Sequence, residues 1–335
     1  MSSNEDNNNT MSVIYRPVEK HEQQQAIDLW YSVFTPQTGF FERYFDPEAS
    51  PNYQEGDTLG AWINEKLVSA IHIRRLYVRS RDDNTEYLCG AIANVATLKE
   101  HRQHGYSRHL LRMAITKMKQ SEQFDLSVLG TGRPNHYSVL GWEQISLPSP
   151  ISIEWSHFNS SGDHHHQWYS VNDILSSNSQ VLLDIHSNKP RTYQFNRSPV
   201  TMFQHWTGWN WNKENAIVYL LRDVQQGYIV ISKVDNVDDV YVSEWRASNV
   251  DMEKKLFRLA ANEIRRRQAQ IKTIRFHTVP QYMTLEELEE WAGTVCVSKN
   301  DHTMIRNIRL SNEILEKIKA AYLSGHATFW TGDYF

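Results

Sequence analysis

The chain has 335 residues, with 35 Lys and Arg against 39 Asp and Glu, a formal net charge of -4, and 40% hydrophobic residues. That is long for one core, so two domains plus a remainder are expected, and the apolar share is ample to pack them. The mild negative charge gives no general field for nucleic acid or an anionic membrane, no apolar run approaches membrane-spanning length, and Cys89 and Cys296 are too few for a disulfide framework or a zinc site.

Residues 1–11 are polar and Asn-rich and read as a mobile tail. They lack the apolar segment of a signal peptide, so a soluble cytoplasmic or nuclear protein with reduced cysteines is expected. Residues 13–18 form a short β-type run. A helical pattern follows, with Ala26, Ile27, Trp30, Val33 and Phe34 on one face, and Phe40, Phe41 and Tyr44 suggest another helical turn before the break at 47–56. Residues 58–63 and 67–78 are β-rich and joined by Asn64, Glu65 and Lys66, the signature of a hairpin.

Residues 91–98 are apolar, with β-branched Ile92, Val95 and Thr97, and read as a buried strand. Leu110, Leu111, Ala114, Ile115 and Met118 then recur at helical spacing. Between strand and helix lie Arg102, Gln103, His104, Gly105, Tyr106 and Ser107. Gly105 permits a tight backbone path close to a ligand, and Ser107 is read as the N-cap of the helix. A helix start presents unpaired N–H groups and a positive dipole end, which suit a phosphate, although a solvated turn before a capped helix has the same local signature. A second apolar strand at 124–129 and then Tyr137, Leu140, Gly141 and Trp142 complete this half.

Over residues 12–147 that order resembles the GNAT acetyltransferase family, in which an Arg/Gln-x-x-Gly-x-Gly/Ala loop holds the pyrophosphate of acetyl-CoA. Here Ser107 stands at the last, small position. The resemblance implies acetyl-CoA as co-substrate held by Arg102 to Ser107, with the pantetheine arm in a gap between the strand at 91–98 and the strand at 124–129, facing the backbone of Val95 and Thr97. It also implies that Tyr137 acts as general acid toward the departing thiolate. The alternative for Tyr137 is a ring packed over the turn beside Trp142.

Residues 147–150, Leu-Pro-Ser-Pro, read as a turn-rich break and a domain boundary. The cluster at 159–166 reads as an exposed loop whose three consecutive histidines are solvated, and no metal is expected. Beyond it come helical patterns at 173–185 and 199–206, β-type runs at 216–221, 227–233 and 240–246, a helix at 251–267 and a strand at 271–279. This repeats the first half's order without a phosphate loop. Short helices at 285–291 and 312–322 flank a β-type run at 303–308, and the chain ends in Phe329, Trp330, Thr331, Gly332, Asp333, Tyr334 and Phe335, aromatic enough to dock.

The expected fold is α/β: a GNAT domain with a mixed, splayed sheet at 12–150, a degenerate GNAT-like α/β domain at 151–280, and a C-terminal segment at 281–335 that docks back on the active site. The tandem order and aromatic terminus resemble acetyltransferases of the enhanced-intracellular-survival (Eis) type, although 280–335 is shorter than the lipid-carrier-like domain usual there. That resemblance implies that the α-carboxylate of Phe335 serves as base and that Asp333 attracts a cationic amine. The expected activity is N-acetylation of a primary amine, on a small molecule or a lysine side chain, by direct attack in a ternary complex. The competing reading is a non-catalytic acyl-CoA-binding or scaffold protein. No nucleic-acid or membrane partner is expected, and neither the amine nor the oligomeric state is legible.

Overall fold

In the first half, β1 (Val13–Pro17), β2 (Thr58–Ile63), β3 (Lys66–Arg79) and β4 (Glu86–Thr97) pair antiparallel in chain order. The turn between β2 and β3 is the predicted hairpin, with Asn64 and Glu65 at φ 48° and 63°, the left-handed pair that matches strand twist. Helix α1 (Gln23–Val33) buries Ala26, Ile27, Leu29 and Trp30 on one face of this sheet, whereas α2 (Tyr106–Gln120) buries Leu110, Leu111, Ala114 and Met118 on the other. Strand β5 (Leu126–Gly130) lies parallel to β4, and α3 (Pro134–Ser138) follows it. The computed structural model describes residues 12–155, 167–222, 227–236, 238–327 and 333. The tail at 1–11, the histidine-bearing loop at 159–166 and Phe335 lie outside them.

The next strand, β6 (Glu143–Glu154), runs straight through the expected break at 147–150. Prolines are tolerated in strands at bulges, and here the partner strand shifts register between Val297 and Lys299, opposite the stretch from Pro148 to Ile151. The second half follows as β7 (Tyr169–Ser170), α4 (Val171–Asn188), β8 (Gln194–Phe195), α5 (Val200–Met202), α6 (Gly208–Lys213), β9 (Ile217–Leu221), β10 (Gly227–Ser232), β11 (Tyr241–Arg246), α7 (Val250–Arg267) and β12 (Thr273–Phe276). The C-terminal segment adds α8 (Leu285–Ala292), β13 (Val295–Asn307) and α9 (Asn312–Leu323), whose Leu315, Ile318, Ala321 and Tyr322 join the core that α1 covers.

The strands make one continuous sheet whose centre reads β4, β5, β13, β6, β12, β11. Strand β13 lies between β5 and β6, antiparallel to both, and β6 lies between β13 and β12, antiparallel to both. At each end of this series stands a parallel pair, β4 with β5 and β11 with β12. The sheet therefore reads the same from either end, with each half completed by a strand from the other. Sequence patterning locates only 303–308 of β13, because 296–302 is largely polar and exposed.

Candidate active site

Strands β4 and β5 are in register only from Cys89 to Ala91 against Leu126 to Val128, so residues 92–97 of β4 separate from the end of β5. At that point β4 bulges: Ala70 faces Ala96 and His72 faces Ala93, which leaves Asn94 and Val95 opposite the single residue Ile71. Asn94 takes φ 54°, and its amide lies beside the Tyr44 hydroxyl. The bulge was not legible in the sequence; an Asn inside a β-branched run is the signal that points to it. Val95 therefore sits where β4 has left its ladder and the gap opens. Thr97, also expected at the gap, bonds Ser69 through its hydroxyl at 2.8 Å and accepts Arg102 Nε on its carbonyl at 3.1 Å.

The loop into α2 carries two left-handed residues, Gln103 at φ 68° and Gly105 at φ 81°. Gly105, not Ser107, is the N-cap, and it has no side chain to accept an N–H. The first intrahelical bond runs from His109 N to Gly105 O at 3.0 Å, which leaves the N–H groups of Tyr106, Ser107 and Arg108 without acceptors within the helix. A Cβ built on Gly105 meets nothing within 4 Å, so the approach is open. Arg102, Gln103, His104 and Gly105 are exposed. His104 donates Nδ1–H to Arg102 O at 2.8 Å and stacks on Tyr106. The side chains of Arg102 and His104 thus shape the loop, and the first-turn N–H groups without helix acceptors, with exposed Arg108 among them, make a candidate cradle for an anion.

Across the gap, Ser107 Oγ lies 3.5 Å from His136 Nε2, which ties the first turn of α2 to α3. Tyr137, next on α3, packs edge-on against Trp142, and Trp142 Nε1 reaches Ser127 Oγ at 3.3 Å, which in turn donates to Gly90 O at 2.6 Å. The platform under Tyr137 is thereby fastened to the paired ends of β4 and β5. Burial pushes the Tyr137 phenol above its ordinary value, so it is a proton donor at neutral pH; Arg133 and Thr131 only partly oppose this. His136, which sequence reasoning missed, is pushed down by burial and by Arg108 and Arg133.

The end of β5 opens into a cavity of about 430 Å³ bordered by residues of both halves. Leu129 and Gly130 of β5, Pro148 of β6 and His302 of β13 border it from one side, and Lys213 and His277 from the other. A Cβ on Gly130 would meet no atom within 4 Å. His302 lies with Nδ1 3.1 Å from Thr131 O, an acceptor only, so Nδ1 is the donor and the lone pair of the neutral ring is on Nε2.

Asp333 is not a free anion for a substrate amine. It is 5% exposed and accepts Arg197 Nε at 2.7 Å, while the other end of that guanidinium clasps Glu244 at 2.8 and 3.0 Å. Burial pushes the Glu244 carboxyl up, but Arg197 and His186 outweigh it and hold it well below the usual carboxylate range. A carboxylate this buried is stable only when paired, which is why the position is occupied internally.

Residues 14–145 match the family model described as an acetyltransferase (GNAT) domain. No curated protein matches the chain. Three crystal structures share its fold at low identity. A conserved protein of unknown function and probable N-acyltransferase from Enterococcus faecalis V583 is 16% identical, with a TM-score of 0.68, covering 90% of this chain and 73% of its own. A GCN5-related N-acetyltransferase from Anabaena variabilis is 16% identical, with a TM-score of 0.66 and coverages of 89% and 73%. Eis1 from Mycobacterium abscessus is 12% identical, with a TM-score of 0.63 and coverages of 89% and 74%. The family model thus marks a GNAT acetyltransferase domain at 14–145, in a chain that shares the fold of these proteins, the Eis-type one included.

Proposed function

We propose that the protein is an N-acetyltransferase that moves an acetyl group from acetyl-CoA to a primary amine in a ternary complex. One observation carries the reading: an uncapped, exposed helix start follows β4 and a half-buried, protonated Tyr137 follows β5, beside the point where the two strands separate. In this reading the N–H groups at 103–108 hold the pyrophosphate, and the bulge at Asn94 and Val95 frames the acyl arm. The amine, entering from the cavity beside Gly130, forms the new C–N bond. As the C–S bond breaks, Tyr137 gives its proton to the thiolate.

The ammonium proton needs an acceptor. The Eis resemblance assigns it to the α-carboxylate of Phe335. His302 is a second candidate, favoured by its place on the cavity and by the Thr131 contact that leaves Nε2 as the basic atom. Two proteins separate them. Extending the C-terminus by a few glycines displaces the carboxylate, and His302→Gln removes the imidazole base. Loss of turnover in one, with acetyl-CoA affinity and melting temperature retained, identifies the base. The reading as a whole is tested by thiol release from acetyl-CoA across a panel of amines; a chain that binds acetyl-CoA and acetylates none of them is a binding protein instead.

A further inference from the structure

Resting on that transferase reading, we infer that the acceptor is a small amine whose apolar body carries a carboxylate, and that Lys213 receives the carboxylate. A cavity of about 430 Å³ is of the size that encloses a small molecule. Its walls are apolar through Leu129, Leu147 and Pro148 and, beside Lys213, Phe40, which suits a hydrocarbon or aromatic body. Among the described residues that border it, none is Asp or Glu, and Lys213 is the one permanently charged side chain. Nor do the two buried carboxylates of the Arg197 cluster supply a compensating negative field, since Arg197 binds both and Arg246 beside them brings the second positive charge.

An exposed lysine is ordinarily just solvated. Lys213 differs because its ammonium lies 5.5 Å from the ring centre of Phe40 and 5.8 Å from that of Trp209, contacts that hold the charge at the cavity wall. It makes no ion pair among the described residues. Lys213 and Gly130 stand in opposite halves on the same cavity, so a ligand spanning it sets its amine toward the gap at β5 and its anion toward α6. A polycationic amine would instead place a second positive charge against Lys213.

The test is calorimetry on the full chain saturated with CoA, with 4-(aminomethyl)benzoate, benzylamine and spermidine as probes; the first carries its amine and carboxylate at opposite ends of an apolar ring. It is expected to bind tightest and spermidine weakest. Lys213→Glu, on an exposed site and checked by melting temperature, should weaken 4-(aminomethyl)benzoate about tenfold or more and strengthen spermidine. Spermidine as the tightest ligand, or the same ranking in both proteins, overturns the inference. Product analysis keeps the two readings apart. Binding of 4-(aminomethyl)benzoate through Lys213 with no amine of the panel acetylated removes the transferase reading and leaves standing the cavity's preference for an amine with a distant carboxylate, whereas preferential acetylation of spermidine overturns the inference and leaves the transferase reading standing.

Discussion

Helices α2 and α7 occupy the same place in the two halves, each crossing over between parallel strands, yet their first turns are electrostatic opposites. At α2 the cap is Gly105, no acidic residue lies in the first turn, and no side chain caps the N–H groups. At α7 the cap is Asn249, whose side chain accepts Met252 N at 2.9 Å, and Asp251 and Glu253 fill the first turn. Fully buried Glu253 accepts the N–H groups of Gln281 at 2.7 Å and Tyr282 at 2.9 Å and the indole N–H of Trp245 at 2.8 Å. The second half sets carboxyl groups of its own in the first helical turn, where the first half has none. Position in the fold creates the opportunity for an anion site, and the cap residue decides whether it exists.

The sharpest way to break this contrast is to fill the open start. Gly105→Glu sets a charged side chain in the approach at a φ that disfavours any side chain, so CoA binding should fall below detection in calorimetry. The wild-type chain should take up one equivalent of CoA; two equivalents would show that α7 also binds. Next in size is Tyr137→Phe, which keeps the ring on Trp142 and removes the donor. Turnover should fall on the order of a hundredfold, with acetyl-CoA affinity within about twofold, as measured by steady-state kinetics beside calorimetry.

Acid should act on both halves alike. Burial lowers His72 in the first half to about 3, aided by Arg74 and Lys117, and lowers His186 in the second to about 3, aided by Arg197. Both lie below the ordinary 6.5, so the unfolded chain binds more protons between those values. The stability from keeping them neutral is complete above about 6.5 and is lost as pH falls toward 3, by up to about 1.4 kcal/mol per pH unit for each histidine. A melting series from pH 7 to 4 should show one transition moving down; two separating transitions would mean that the shared sheet does not couple the halves. The smallest effect belongs to Asn249→Ala, about 1 kcal/mol of stability in denaturant titration with CoA affinity unchanged.

What the sequence revealed was local. Gly105 between a β-branched run and a helical stripe marks the loop because its conformation and the periodicities around it depend on near neighbours. Ser107 misled because a hydroxyl near a helix start looks like a cap, and only the backbone shows that Gly105 already holds that place. Long-range pairing was not legible. Asp333 meets Arg197 across 136 residues, and the polar stretch before Thr303 becomes a strand only because β6 lies beside it. The prolines of 147–150 signal a break to any local reading, and the bulges of β13 that absorb them are 150 positions away in the chain.

The exchange of β13 also sets an order of events during synthesis. Strand β5, whose end borders the gap beside β4, is made by residue 130, but the strand that covers its open side ends at Asn307. While the intervening chain is being translated, β5 presents a row of unpaired backbone groups, the kind of edge that recruits other chains. A nascent chain that stalls before β13 emerges therefore exposes an aggregation-prone edge beside its unfinished candidate site, and release of the last strand is the step that closes both.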